Sequence, residues 1–185
     1  MLILASKSPR RREILSSAGI EFQVRVVDVP EVRLPDEDPA DYVRRLARAK
    51  AEAIEPAGKD VVLGADTVVV ADQHVLEKPA DEADARRMLR ILSGRVHYVT
   101  TGICLRSGTR EVVDSATTEV RFVELTDAEI AAYVASGETM DKAGAYAIQG
   151  LASKFIDRID GCYFNVVGLP VALVYQHLAS FPTAT

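Results

Sequence analysis

Cysteine and histidine are scarce in this chain, and it has no long apolar run. The two cysteines, Cys104 and Cys162, lie far apart with no Cys-x-x-Cys spacing. That excludes a disulfide scaffold and a dithiol redox motif, and leaves two buried thiols in a reducing cytoplasm as the expectation. His74, His97 and His177 form no metal-ligand spacing, so each is expected to have a packing or surface role. No apolar stretch approaches the roughly 20 residues that span a bilayer. The apolar run Leu2–Ala5 is too short for a signal-peptide core, and the positive charges follow it instead of preceding it. No targeting segment and a cytoplasmic location are therefore expected. An excess of basic residues is also missing. With 22 Lys and Arg against 27 Asp and Glu the net charge is −5, which argues against generic binding to nucleic-acid backbones. No Gly-x-x-x-x-Gly-Lys-Ser/Thr loop and no Gly-x-Ser-x-Gly elbow occurs, and no histidine stands ready beside a serine. Covalent catalysis is disfavoured on that ground.

What remains is an ordinary globular composition, with 48% hydrophobic and 26% charged residues over 185 positions. That is enough for one well-filled core, in one domain or two tightly joined lobes, and residues 1–185 are read as a single domain without a linker or repeat. Leu2–Ala5 reads as a buried strand. Ser8 and Pro9 read as the N-cap and first position of a helix that runs to about Ala18 and stops at Gly19. Phe22 to Val27 alternates like a strand, residues 28–38 form an acidic loop, and Asp38-Pro39 opens a second helix. Val61 to Ala71 is valine-rich and short, hence a buried strand. A hairpin turn at Asp72-Gln73, a helix over 82–92, and strands over 97–106 and 110–123 joined by Ser107-Gly108-Thr109 follow. Thr126-Asp-Ala-Glu129 is a capping box. Residues 154–159 read as a strand, and Gly168-Leu-Pro170 opens a last helix that ends near Ser180. Strands and helices mix without strict alternation, which favours an α/β fold with a mixed sheet.

Three constellations carry chemistry. The first is Ser6-Lys7-Ser8-Pro9-Arg10-Arg11-Arg12, where a strand, a hydroxyl turn and a helix N-terminus meet four positive charges. Such a junction is a good receiver for phosphate. The second is built on Asp66, a carboxylate inside an apolar run beside Gly64 and Ala65. A buried carboxylate is costly unless it is paired, hydrogen-bonded or bound to a metal. Structural and functional roles weigh equally on that position alone, and nearby polar residues tip it toward function. Glu31, Glu77, Lys50 and Lys78 each read singly as surface charges. As a group they mix anion binders with hard oxygen ligands suited to Mg²⁺ or Mn²⁺ on a phosphate substrate. The third is Asp141-Lys142-Ala-Gly144-Ala-Tyr146-Ala-Ile-Gln149-Gly150. Its small residues admit a ligand, Lys142 adds charge, and Gln149 offers a donor and an acceptor to a base edge. Asn165 and Gly168 read as either another such loop or, by default, a packing loop. Metal-assisted attack of water on a phosphate fits these groups best.

In order along nearly the whole chain, these segments resemble the Maf family of nucleoside triphosphate pyrophosphatases. The matching stretches are Leu4 to Arg11, Glu31, Arg48-Ala-Lys50-Ala, Gly64-Ala-Asp-Thr67, Glu77-Lys-Pro79 and Ser93-Gly94. Residues 141–150 and Asn165-Val-Val-Gly-Leu-Pro170 complete the set. The resemblance implies an elongated twisted mixed sheet flanked by helices, with two lobes around a cleft. It implies release of pyrophosphate from a triphosphate with a divalent cation, and a link to nucleotide-pool cleaning and septum formation. It makes Asp66 the proton acceptor and puts substrate sorting on Arg10, Thr67 and Gln149. Those three match the branch acting on dTTP and UTP, and not the 7-methyl-GTP branch with Trp, Gln and Glu there. Ser6, Ser8, Arg11, Lys50, Lys78 and Lys142 would bind phosphate, Glu31 and Asp66 the metal, and a homodimer is implied. Two other functions stay open: a pyrophosphatase for non-standard or modified triphosphates, and a non-catalytic nucleotide- or nucleic-acid-binding factor in cell division.

Overall fold

The computed structural model describes residues 1–181, so the last four positions of the expected 1–185 domain lie outside the described residues. The elements run β1 (Leu2–Ala5), α1 (Pro9–Ser17), β2 (Phe22–Val24), α2 (Pro39–Glu52), β3 (Val61–Ala71), β4 (His74–Leu76) and α3 (Glu82–Leu92). Then come β5 (Val96–Ser107), β6 (Arg110–Phe122), α4 (Asp127–Ala135), β7 (Ile156–Asp160), α5 (Tyr163–Val167) and α6 (Val171–Leu178). Short 3₁₀ turns cover Ala143–Ala145 and Leu151–Phe155. Seven strands form one sheet in the order β2-β1-β3-β5-β6-β7, with β4 also paired to β3. It is mixed: β1 runs parallel to β2 and β3, β4 antiparallel to β3, and β7 antiparallel to β6.

Two compact units result. The first comprises residues 1–67, 101–116 and the segment from Gly168 on; the second comprises 68–100 and 117–167. Strands β3, β5 and β6 each contribute to both. In the first unit Ile3, Ala5, Ala47, Ala51, Ile54, Val62 and Cys104 make an apolar core. Helix α2 lies against β3 and β5 because Gly64 and Gly102 carry no side chain. A Cβ on Gly64 would overlap the Ala47 carbonyl and crowd the Ala51 nitrogen, and one on Gly102 would overlap the Val43 carbonyl. In the second unit an aromatic core joins His97, Phe122 and Tyr146 edge to face, with centroids 4.9–5.4 Å apart. Tyr133 meets Phe155 in the same way at 5.6 Å. These separations fall in the favourable range for ring quadrupoles.

The caps behave as their residue types predict. Ser8, Asp38, Asp81 and Thr126 each accept a first-turn amide, and Thr126 with Glu129 closes a capping box. Four expectations need correction. β2 ends at Val24: after Arg25 donates to the Leu4 carbonyl the chain leaves the sheet. Lys154 and Phe155 belong to a 3₁₀ turn, and the strand starts at Ile156. α5 is an additional element, too short for a hydrophobic period to show, whereas β4 is the returning strand of the hairpin expected at Asp72-Gln73. Cys162 is partly exposed, while Cys104 is buried. Among the described residues no helix is long and apolar enough to cross a membrane.

Candidate active site

The parallel register pairs Ala5 with Gly64, so the turn after β1 lies beside the part of β3 that carries Asp66. In that turn the Ser8 N–H donates to Ser6 Oγ at 3.1 Å, and Ser8 Oγ accepts the Arg11 N–H at 3.5 Å. Lys7 is exposed and pairs with Asp28 at 2.9 Å. The three arginines separate. Arg12 is exposed and Arg10 half-buried. Arg11 turns inward and is 9% exposed. Its guanidinium donates to the carbonyls of Gly168 and Ala65, both at 2.8 Å, and to Thr67 Oγ1 at 3.1 Å. Arg11 thereby holds the residues on either side of Asp66. Burial pulls its pKa below the ordinary value, and the Asp66 charge works in the opposite direction. Thr67 Oγ1 also pairs with Thr101 Oγ1 at 2.9 Å.

Helix α2 supplies the third side. Tyr42, Val43, Leu46, Ala47, Lys50 and Ala51 form its buried face. Lys50 lies on that stripe one turn beyond Leu46 and Ala47, which brings an ammonium to β3. Only 8% of Lys50 is exposed. Its Nζ donates to Glu31 Oε1 at 2.6 Å and to Asp66 Oδ1 at 2.5 Å. One cation thus shares two carboxylates, one well buried and one on a loop. Removing Lys50 would leave two carboxylates without their shared counter-charge, whereas removing one carboxylate leaves Lys50 paired with the other.

The loop carrying Glu31 is held onto α2 by residues that sequence reasoning passed over. Arg45 grips the Glu37 carboxylate in a fork, at 2.6 and 2.8 Å, and donates to the Val32 carbonyl at 2.9 Å. The bond from Arg45 holds the Glu37 carboxyl down at about 2. Tyr42 donates to the Glu31 carbonyl at 3.4 Å. The only sequence signal was an arginine on a helix two turns beyond an acidic loop, which is too common to single out.

The first unit therefore brings Ser6, Ser8, Arg11, Glu31, Lys50, Asp66 and Thr67 into one connected network. Lys78, Lys142 and Gln149 belong to the second unit. There Lys78 and Gln149 are exposed, and Glu77 accepts the Gly144 N–H on its carbonyl at 3.1 Å. Lys142 donates to the Glu138 carbonyl at 2.6 Å and to Asp141 at 2.5 Å. Asn165 is fully buried and donates to the Val99 carbonyl and to Thr118 Oγ1, as its packing role requires. The first-unit network combines anion-binding donors with a carboxylate pair, an arrangement that can hold a polyanion and accept a proton beside it.

A family profile described as "Maf-like protein" matches residues 1–181. A protein of Koribacter versatilis (strain Ellin345) named "dTTP/UTP pyrophosphatase" is 57% identical over 176 residues, covering 95% of this chain and 91% of that relative. One of the same name from Vibrio cholerae serotype O1 is 53% identical over 184 residues, covering 97% of each. Among solved structures, the Staphylococcus aureus Ham1 protein is similar in fold, with TM-score 0.52 and 14% identity over 97% of this chain and 98% of that one.

Proposed function

This chain belongs to the Maf family, and from that premise we propose that it hydrolyses dTTP and UTP to the monophosphate and pyrophosphate. The observation that carries this reading is the Lys50 ammonium held between Glu31 and Asp66. A water oxygen attacks the α-phosphorus, the bond to the α,β-bridging oxygen breaks, and pyrophosphate departs. Asp66 takes the proton of the attacking water. Arg11 keeps Asp66 in place through Ala65 and Thr67.

A triphosphate is a polyanion, so attack is opposed by repulsion unless its charge is matched. In this reading Ser6, Ser8, the amides opening α1, Arg10, Arg11, Lys50, Lys78 and Lys142 serve the phosphates. Arg10, Thr67 and Gln149 sort substrates. A primary amide pairs with the adjacent carbonyl and N–H that uracil and thymine share, and a base with the opposite pattern is matched only if the amide turns over, so discrimination requires its orientation to be held.

A divalent cation fits the donor set. Among the described residues no group of three or more His, Cys, Asp or Glu could hold a metal by itself. Two carboxylates, Glu31 and Asp66, sharing one counter-ion are what a Mg²⁺- or Mn²⁺-sized cation uses when substrate phosphate completes its shell. When bound, such a cation supplies Lewis-acid neutralisation of phosphate charge. Work on the cytoplasmic nucleotide pool follows from this reading.

One experiment tests it: a panel of standard and modified triphosphates with pyrophosphate and phosphate quantified separately. The expected outcome is pyrophosphate from dTTP and UTP in excess of every purine. Preference for a modified triphosphate would move the assignment to another substrate, and no hydrolysis of any triphosphate with Mg²⁺ or Mn²⁺ would remove the enzymatic reading.

A further inference from the structure

In the second unit, a carboxylate and a phenol with no role in the chemistry above send their hydrogen bonds to the segment that carries Gln149. Glu138 follows the C-terminal turn of α4. Its carboxylate accepts the Tyr133 hydroxyl at 2.7 Å and the Leu151 N–H at 3.1 and 3.3 Å. The Tyr133 hydroxyl in turn accepts the Ala147 N–H at 3.1 Å. Ala147 and Leu151 stand two residues before and two residues after Gln149. One carboxylate–phenol pair therefore fixes both ends of the stretch.

Gly150 leaves the space this needs. A Cβ there would overlap the Glu138 carboxylate. The clamp is also rigid at its base. Tyr133 is 3% exposed and its ring stands edge-on to Phe155. Burial and the bond to Glu138 push the Tyr133 hydroxyl well above its ordinary range, so it remains a donor. The buried Ala147 and Ile148 precede an exposed Gln149, so the segment is anchored and its amide projects.

We infer that Glu138, through Tyr133, is a positioning residue that sets the register of Gln149 and thereby the base preference of hydrolysis. The inference rests on the proposed role of Gln149. Pairing an amide with a base edge demands correct placement, and a misplacement of about an ångström can cost about 10²-fold. Glu31, Lys50 and Asp66 are set by α2 and β3, so the loss falls on discrimination more than on phosphate chemistry.

The test measures kcat/KM for dTTP, UTP and CTP in Glu138→Gln, Tyr133→Phe, Gly150→Ala, Gln149→Ala and the Glu138→Gln/Gln149→Ala double variant. Hydrogen exchange at Ala147 and Leu151 is followed alongside. Both donors converge on Glu138 Oε2, and the Leu151 N–H also faces Oε1, so Glu138→Gln replaces a charged acceptor by a weaker neutral one and sets an amide N–H₂ against the Leu151 N–H. The expected result is a dTTP-to-CTP ratio lowered about 10- to 100-fold in each clamp variant. Exchange at Ala147 or Leu151 should be faster, and Glu138→Gln should have no further effect on the ratio once Gln149 is alanine. An unchanged ratio in folded Glu138→Gln and Tyr133→Phe overturns the inference, as does an equal effect of Glu138→Gln with Gln149 absent. If Gln149→Ala itself leaves the ratio unchanged while exchange accelerates in the clamp variants, the clamp exists but the base-reading role fails, and the inference falls with it.

Discussion

In the proposed mechanism Asp66 is the proton acceptor, and its surroundings define what a substitution does. The side chain is 13% exposed and bonded to Lys50. Asp66→Asn keeps the shape, leaves Lys50 with Glu31, and removes the proton acceptor. Turnover should fall about 10²- to 10⁴-fold, the range a general base contributes. Pyrophosphate release and circular dichroism on the same sample decide it; near-normal turnover in the folded variant would sink the assignment. Gln149→Glu replaces an amide N–H₂ by an acceptor and should weaken dTTP and UTP use by about 1–3 kcal/mol, the cost of an unpaired polar group. Relative rates across a base panel measure it, and unchanged ratios would contradict it. Asp66 was legible in the sequence because a charge inside an apolar run has to be explained. Lys50 was not: read alone, a lysine at a helix end is a surface charge. Its burial appears only when its phase on α2 is set against Gly64 across the packing interface. Arg45, Glu37, Tyr133 and Glu138 were illegible because they act through bonds that residue type and local pattern do not signal.

At the scale of elements, the packing of α2 on β3 is what makes the carboxylate pair and the ammonium meet. The close approach is between backbones, so no side chain can yield. Gly64→Ala would drive a methyl group into the Ala47 carbonyl and against the Ala51 nitrogen. The expected cost is about 1–3 kcal/mol of stability, as for other overpacked sites. Moving α2 outward also withdraws Lys50 from Asp66, so turnover should drop with stability. Denaturant unfolding and kinetics together test this; a destabilised variant with full turnover would show that the Lys50–Asp66 contact is not required. Elements with a sharp local signal were legible to the residue. Val61–Ala71 was bounded by the end of its apolar run, and the Thr126 helix by its capping box. Elements whose ends depend on neighbours were not. β2 stops opposite Leu4, one residue before β1 ends, and β7 starts only where β6 offers an antiparallel edge.

For the molecule as a whole, acid stability follows from groups that fold in one protonation state. His97 is fully buried, and desolvation lowers its pKa to about 4, below the ordinary 6.5. The unfolded chain takes up that proton near 6.5, while the folded chain refuses it until about 4. Stability falls with decreasing pH wherever the unfolded state binds more protons. His97 should therefore leave stability intact above 6.5, remove it progressively down to about 4, and add no further loss below. The total is on the order of 3 kcal/mol. Glu37, held at about 2, acts in a separate window that opens only below the ordinary carboxylate value of 4.5. His97→Gln separates the two. Glutamine can still meet the Tyr146 hydroxyl, which His97 Nε2 contacts at 2.8 Å, but it does not titrate. That variant should be weaker at neutral pH through lost ring packing, yet its unfolding free energy should change little between pH 6.5 and 4.5, where the parent chain declines. Urea unfolding of both proteins across that interval measures the difference. Parallel curves would assign the decline to other groups and leave His97 a packing residue only.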